Sequence, residues 1–136
     1  MLDLGGLDPY GDPMPTHIAV VRYDKRPWTL NAERSMHRME RAKLAREWRD
    51  AFHWLARMNH LPKVEQAIIL VQPHLKGKRS QDCDACHPAA KAAIDGLVDA
   101  GVLKGDSPQY VTEIRYLAPL MDSTDGLTII VAERKP

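Results

Sequence analysis

The chain has 136 residues, of which 44% are hydrophobic and 27% charged, with a formal net charge of +1. These are ordinary globular values, and the length suits one domain whose core needs no disulfide bonds. The sequence contains neither an apolar run of membrane-spanning length nor a secretory signal, so no membrane partner is expected. We therefore predict a cytoplasmic protein whose two cysteines, Cys83 and Cys86, remain thiols.

The first half of the chain predicts an arm, a strand and a long helix. Residues 1–16 are rich in Gly, Pro and Asp and predict a loose N-terminal arm. Residues 17–23 have the β-branched and aromatic content of a strand, and a loop follows over residues 24–31. A helix is predicted over residues 32–59, because apolar residues recur on one stripe: Leu44, Trp48, Phe52 and Leu55.

The second half predicts three strands and one helix. A buried strand over residues 64–72 is expected to end at Pro73, and a flexible loop follows over residues 74–80. A helix is expected from Pro88 to just before Gly101, since Pro favours a helix start and Gly a helix end. A strand over 109–118, a hairpin loop over 122–126 and a last strand over 127–133 complete the chain. The order β-α-β-α-β-β predicts a single α+β domain over residues 17–136, with two helices packed on one mixed sheet.

Charge is distributed unevenly along the chain. Residues 25–60 carry nine Lys or Arg against four acids, whereas residues 82–106 carry five aspartates against two lysines. This arrangement suits a protein that holds a polyanion and performs metal chemistry on it, although solvated helix faces account for the charges equally well. The candidate phosphate-binding residues are a helical stripe and a basic loop: Arg34, Arg38, Arg41, Lys76, Lys78 and Arg79.

The segment QDCDACHPAAK, residues 81–91, is compatible with two different chemistries. Cys83, Cys86 and His87 have the C-x-x-C-H spacing of c-type haem attachment, and they would supply three ligands to zinc. Asp82 and Asp84 instead suit a hard divalent cation. Haem is attached outside the cytoplasm, and no second C-x-x-C or H-x-x-x-H motif completes a zinc site. We therefore favour the oxygen ligands, expect neither haem nor zinc, and interpret the cysteines as packed thiols beside a helix start.

The spacing of the acidic residues predicts parts of a site. Asp82 and Asp84 lie two positions apart in what should be extended chain, so both carboxylates can point the same way. Lys91, Asp95 and Asp99 share one face of the second helix. Asp106 lies beyond that helix, which is about 20 Å long. It therefore approaches the pair only if the chain folds back or another subunit supplies it.

The stretch DCDACHPAAKAAIDGLVDAGVLKGDSPQYV, residues 82–111, resembles the signature of the RusA family of Holliday-junction resolvases. The matching residues are Asp82, Asp84, Lys91, Asp95, Gly101 and Asp106. The sequence PWTLN, residues 27–31, resembles the Pro-rich loop ending in Asn near the start of such proteins. The chain departs from the pattern in two places: Ala85 replaces the usual Asn, and a short insertion lies around residues 86–88.

The resemblance implies a Mg²⁺-dependent endonuclease, with Mn²⁺ as the alternative metal, that resolves four-way DNA junctions as a homodimer in recombination and repair. It implies Asp82, Asp84 and Asp106 as metal ligands and adds Lys91 to the catalytic set. Asn31 joins the basic residues named above as a DNA contact. The alternative is a non-catalytic nucleic-acid-binding protein of the same fold, which Ala85 and the insertion favour. A small haem or zinc protein is the third interpretation.

Overall fold

The computed structural model describes residues 18–77 and 81–134, so the predicted arm over residues 1–16 lies outside the described residues. The elements follow in this order: β1 Ile18–Tyr23, α1 Leu30–Arg34, α2 Arg38–Met58, β2 Ala67–Lys76, α3 His87–Asp99, β3 Val111–Tyr116, β4 Leu120–Asp122 and β5 Gly126–Glu133. None of the helices within these ranges is long and apolar enough to cross a membrane.

The five strands form one mixed sheet in the order β1-β5-β2-β3, with β4 also pairing with β2. Strand β5 is antiparallel to both of its neighbours, so that Ile130 lies opposite Val20 of β1 and Leu70 of β2. Strand β2 is parallel to β3 and, farther along, to β4. A parallel pair requires a crossover connection, and α3 supplies it between β2 and β3. The predicted α+β domain with helices packed on one mixed sheet is confirmed.

The core lies between the sheet and the two long helices. Trp48 and Phe52 of α2 are completely buried, and their rings stack with centroids 6.1 Å apart. They belong to one apolar cluster with the helix α3 residues Ile94 and Leu97 and with alternate residues of β2 and β5: Ile69, Val71, Ile129 and Val131. Alternate side chains of the strands and the apolar stripe of each helix therefore face each other, as the strand period of two residues and the helix period of 3.6 residues require.

The prediction of one helix over residues 32–59 is wrong at its N-terminal end. The chain forms two helices there, separated by residues 35–37. His37 adopts an extended backbone conformation, and its Nδ1 accepts a hydrogen bond from the Met39 amide at 3.2 Å. His37 is therefore the N-cap of α2, a position that Ser, Thr, Asp and Asn usually occupy. The predicted end is confirmed, because Asn59 is the C-cap of α2.

The prediction that Pro73 ends the second strand is also wrong, because β2 continues to Lys76. The Val71 carbonyl accepts a hydrogen bond from the Leu117 amide at 3.0 Å, on the side of β2 that faces β3. Residue 73 faces the same side, where the neighbouring chain is interrupted between β3 and β4, so its missing N–H removes no ladder hydrogen bond. The Gln72 side-chain amide donates to the Ala118 carbonyl at 2.7 Å within this interruption.

Residues 122–126 do not form the predicted hairpin. Strands β4 and β5 both pair with β2, β4 parallel to it and β5 antiparallel, and not with each other. The connection between them therefore passes over the end of β2, where Asp125 Oδ1 accepts a hydrogen bond from the Lys76 amide at 2.8 Å. Two predicted strands around a Gly-containing loop are typical of a hairpin. This sequence pattern does not reveal that another strand, here β2, lies between them.

The second predicted helix is confirmed as α3, with Pro88 in its first turn. Gly101 has a φ of 82°, directly after the helix C-cap at Ala100. Because only glycine adopts this left-handed conformation without strain, Gly101 ends the helix as predicted.

Candidate functional site

The segment Asp82–Cys86, called the acidic turn below, leads into α3. The prediction of an extended chain here is wrong: the Ala85 amide donates to the Asp82 carbonyl at 3.1 Å, and the His87 amide donates to the Asp84 carbonyl at 3.0 Å. Both carboxylates are exposed. The acidic turn connects the carboxyl end of β2 to the N-terminus of α3, and ligands bind at this edge of parallel strands in many α/β proteins.

The PWTLN loop is attached to the acidic turn. The Leu30 amide donates to the Ala85 carbonyl at 3.0 Å, which places Asn31 one residue from the contact. Trp28 fixes the loop from the other side, since its ring packs edge-on against Trp48 with centroids 5.8 Å apart. Asn31 itself is exposed in the first turn of α1. The structure therefore brings together two motifs that are about fifty residues apart in the sequence.

Lys91 lies on the face of α3 that carries the predicted site residues, and its ammonium group binds two aspartates. Its Nζ donates to Asp95 Oδ1 at 2.8 Å and also bonds Asp106 Oδ2. Burial acts to lower the pKa of Lys91, but the hydrogen bonds that it donates to Asp106 and Asp95, together with the charges of these carboxylates, outweigh burial and raise that pKa. Lys91 is therefore a fixed cation, suited to neutralising phosphate charge and unsuited to accepting a proton.

Asp106 reaches Lys91 because the chain after α3 folds back along the helix. The Lys91 hydrogen bond and charge lower the pKa of Asp106, so its carboxylate stays ionised. Within residues 18–77 and 81–134, no three His, Cys, Asp or Glu side chains form a group that could hold a metal ion. The structure thus brings Asp106 to Lys91 and leaves Asp82 and Asp84 as an exposed pair at the helix start. Carboxylate oxygens are the donor type that Mg²⁺ prefers, so the chemistry of the pair fits that metal.

A groove of about 410 Å³ lies beside Lys91, between α2 and α3. Arg41 and Lys91 contribute cationic side chains to its wall, Glu33 and Asp95 contribute carboxylates, and His87 lies at the α3 start. Ala42, Ala45 and Ala92 provide a small-residue lining. We call this feature the α2–α3 groove. His87 and Lys91 line the groove from the N-terminal turns of α3, which follow the acidic turn, and Arg41 lines it from α2.

The remaining predicted DNA contacts are dispersed. Arg34 and Arg38 are exposed on α1 and α2, and neither forms an ion pair with another residue of the described ranges. Lys76 is exposed at the end of β2, where its amide is held by Asp125. Lys78 and Arg79 lie outside the described residues.

The sulfur and imidazole ligands of the C-x-x-C-H motif have different surroundings. Cys83 is an exposed thiol, whereas Cys86 is completely buried in the main apolar cluster. Burial raises the pKa of Cys86 to about 11, which disfavours the thiolate that a metal requires. His87 Nδ1 is 2.7 Å from the Tyr116 hydroxyl. These surroundings support the interpretation of Cys86 as a packed thiol at the helix start. The same interpretation is wrong for Cys83, whose side chain is exposed in the acidic turn.

The two cysteines should therefore respond differently to the same substitution. We expect Cys86→Ser to lower the free energy of unfolding by about 1–3 kcal/mol, because it places a hydroxyl in the apolar core. Cys83→Ser should leave stability unchanged within about 0.5 kcal/mol, as is usual at exposed positions. Urea unfolding measures both, and the purified wild-type protein should contain no stoichiometric zinc. Equal effects of the two substitutions, or bound zinc lost by both variants, would contradict the packed-thiol interpretation.

A second polar cluster lies near the carboxyl end of β2 and was not predicted. His74 Nε2 is 2.7 Å from Thr128 Oγ1, and its Nδ1 is 3.0 Å from Asp122 Oδ2, which also accepts from Arg22 at 3.0 Å. Burial, followed by the Arg22 charge, lowers the pKa of His74, so the imidazole is neutral. The four residues come from four different strands. No sequence spacing links them, and the cluster ties the ends of these strands together.

The fold and the candidate site define a small α+β domain with an acidic turn and, beside it, a groove that is lined by both cations and carboxylates. No family model matches the chain, and no curated protein shows a significant match to it. Function therefore has to be inferred from the chemistry of the side chains.

Proposed function

We propose that this protein is a RusA-like, Mg²⁺-dependent endonuclease that resolves four-way DNA junctions in recombination and repair. The observation that carries the proposal is the proximity of an exposed carboxylate pair, Asp82 and Asp84, to a groove that contains Arg41 and Lys91. Phosphodiester hydrolysis needs a polyanion held against a metal-binding acidic site, and this juxtaposition supplies both parts.

Each group has a defined task in the proposed reaction. Asp82 and Asp84 would hold the cation, with Asp106 as the third ligand, and Mn²⁺ would be accepted in place of Mg²⁺. When bound, the cation supplies neutralisation of charge at the phosphate. Lys91 stabilises the negative charge that develops on the non-bridging oxygens. The aspartates Asp95 and Asp106 keep the Lys91 ammonium charged and orient it.

The proposal includes a homodimer in the cytoplasm. A four-way junction is two-fold symmetric and requires two matched cuts, so a two-fold pair of identical subunits presents one acidic site to each cut. The mass of the protein by light scattering, alone and with a junction at stoichiometric ratio, measures this part of the proposal. A monomer in both states would contradict it.

A direct assay tests the proposed activity. Labelled four-way junction and linear duplex of the same sequence are incubated with the protein in Mg²⁺, in Mn²⁺ and in EDTA. We expect symmetric cuts in the junction that depend on the metal, and no comparable cutting of the duplex. Absence of cutting in either metal, with junction binding retained, would instead support a non-catalytic nucleic-acid-binding protein.

That second function is favoured by one observation on Asp106. Its carboxylate is bonded to Lys91 and is not grouped with the acidic turn, so the third metal ligand is engaged elsewhere. Ala85, which replaces the Asn of the resolvase pattern, favours the same alternative. A binding protein would show tight junction affinity in EDTA and no gain in affinity when Mg²⁺ is added, because no metal would link the acidic turn to phosphate.

The arginine stripe provides a separate test of DNA contact. If Arg34, Arg38 and Arg41 bind phosphates, their combined replacement by Ala should weaken junction binding and flatten the dependence of log K on log salt by roughly 0.9 per lost contact. Titrations of fluorescent junction at several salt concentrations measure the slope. Arg57→Ala, near the other end of α2, is the control for removing an exposed arginine. An unchanged slope in the triple variant would show that the stripe is only solvated.

A further inference from the structure

His87 and Tyr116 form a hydrogen-bonded pair at the start of α3. His87 Nδ1 is 2.7 Å from the Tyr116 hydroxyl oxygen, which joins the first residue of α3 to the last residue of β3. The imidazole is exposed on the groove side, whereas the tyrosine is half-buried. His87 lies in the short insertion where the chain departs from the resolvase pattern, so the resemblance assigns it no role.

The surroundings of the pair determine the direction of this hydrogen bond. Burial, together with the nearby Cys86 and Asp84, raises the pKa of Tyr116, so its hydroxyl keeps the proton. Among residues 18–77 and 81–134, His87 is the only hydrogen-bond partner of that hydroxyl. A half-buried O–H is stabilised by donating to an acceptor, and His87 Nδ1 is the acceptor available. With Nδ1 as the acceptor, the imidazole carries its proton on Nε2.

The second nitrogen of the ring is free to act on a ligand. His87 Nε2 has no hydrogen-bond partner in the described part of the chain, and His87 lines the α2–α3 groove together with Arg41 and Lys91. Two cations and one N–H donor lie on this groove beside the carboxylates of Glu33 and Asp95, and Lys91 is already held by Asp95. The cations and the donor form a set that matches the several oxygens of a phosphate group.

We infer that His87 donates a hydrogen bond from Nε2 to a non-bridging phosphate oxygen of DNA in the α2–α3 groove, with Tyr116 as the positioning residue that fixes the tautomer. The inference rests on the proposed function for the identity of the ligand. It assigns to this chain a phosphate contact one turn of helix from Lys91 and three residues from Asp84. The hydrogen bond orients the phosphate.

Two substitutions at His87 distinguish a donor at Nε2 from a structural role. Gln places its amide N–H near the position of Nε2, whereas Asn reaches only the position of Nδ1. We expect His87→Asn to lower single-turnover cleavage of the junction by about 10-fold or more, the size expected for a lost hydrogen bond to a charged group. His87→Gln should keep most of the rate. Junction affinity in EDTA should follow the same order.

The positioning role of Tyr116 has a spectroscopic readout. In the wild-type protein, the ¹⁵N resonances of His87 at neutral to alkaline pH should show a proton on Nε2 and none on Nδ1. Tyr116→Phe should mix the two tautomers and lower the cleavage rate less than His87→Asn does. Its urea unfolding curve, compared with that of wild type, shows whether the fold is retained.

The outcomes separate this inference from the proposed function. A cleaving wild-type protein in which His87→Asn is as active as wild type, or in which Gln is no better than Asn, would overturn the phosphate contact. A proton found on Nδ1 in the wild-type protein would also overturn it. If the wild-type protein binds junctions without cutting them, the endonuclease proposal fails, and junction affinity then tests the His87 contact. Weaker binding by His87→Asn with binding retained by His87→Gln would support the contact. Equal affinities of the two variants would refute it.

Discussion

Asp82→Asn and Asp84→Asn should each reduce single-turnover cleavage of a four-way junction by about 100-fold or more. Each change removes one negative ligand while nearly preserving the side-chain shape, and an amide oxygen binds a hard cation more weakly than a carboxylate. Both side chains are exposed in the acidic turn, so stability should change little. Junction affinity in EDTA should hold or rise, because a negative charge facing phosphates has been removed.

Variants of Lys91 and Asp106, measured in the same experiment, should differ from the acidic-turn variants. Lys91→Ala should lose cleavage and also bind the junction more weakly, since it removes a cation from the groove. Asp106→Asn tests whether the residue serves as a metal ligand or only holds Lys91, with which it is paired. If Asp106→Asn retains cleavage while the acidic-turn variants lose it, the proposed nuclease activity is supported. The assignment of Asp106 as the third metal ligand is then refuted.

Two exposed residues away from the site serve as matched controls. Asp50→Asn removes a carboxylate from α2, and Lys63→Ala removes an exposed lysine from the chain that precedes β2. Both should cut and bind the junction as the wild-type protein does. Near-normal cutting by both Asp82→Asn and Asp84→Asn would refute the metal-site assignment.

Gly96→Ala should destabilise the protein by about 3 kcal/mol, as expected for overpacking in a tightly packed core. A Cβ at residue 96 would lie 2.3 Å from the Arg49 carbonyl oxygen and 3.0 Å from the His53 amide nitrogen, and both are backbone atoms of α2. The helices α2 and α3 would have to separate, which would also disturb the buried Phe52 between them. The better helix propensity of alanine, about 1 kcal/mol, offsets only part of this cost.

Gly101→Ala is the control for the same substitution in open space. A Cβ there meets nothing within 4 Å, and the only cost is the left-handed backbone at a φ of 82°. That cost is about 1–2 kcal/mol. Urea unfolding of the two variants beside wild type measures both values. If Gly96→Ala costs no more than Gly101→Ala, the close contact between α2 and α3 is absent in solution.

Local sequence was sufficient to predict the elements that are marked by a periodic apolar pattern or by residues with strong backbone preferences. The stripe through Trp48 and Phe52 predicted the buried face of α2, and Pro88 and Gly101 predicted the two ends of α3. These features depend on the helical period and on backbone conformations that particular residues favour, so they are written in neighbouring positions. The α+β class followed from the order of the elements for the same reason.

Two of the wrong predictions concern segments whose structure is determined by a neighbouring strand, and a third concerns a local turn. Pro73 lies within β2 because the chain opposite it is interrupted, and residues 122–126 cross β2 because β4 and β5 both pair with it. The acidic turn is bent by hydrogen bonds to the Asp82 and Asp84 carbonyls, where alternation alone suggested extended chain. In each case the backbone N–H and C=O groups need hydrogen-bond partners. A distant strand supplies these partners in the first two cases, and a tight turn supplies them in the third.

For the candidate site, the sequence by itself determined which carboxylates and cations were available, and the pairing of Lys91 with Asp95 followed from their i, i+4 spacing. Only the tertiary structure decided that Asp106 returns to Lys91, that Arg41 shares a groove with it, and that His87 is held by Tyr116. These contacts join α2, α3, β3 and the chain that follows α3. Their formation requires the packing of helices on the sheet, which no local spacing encodes.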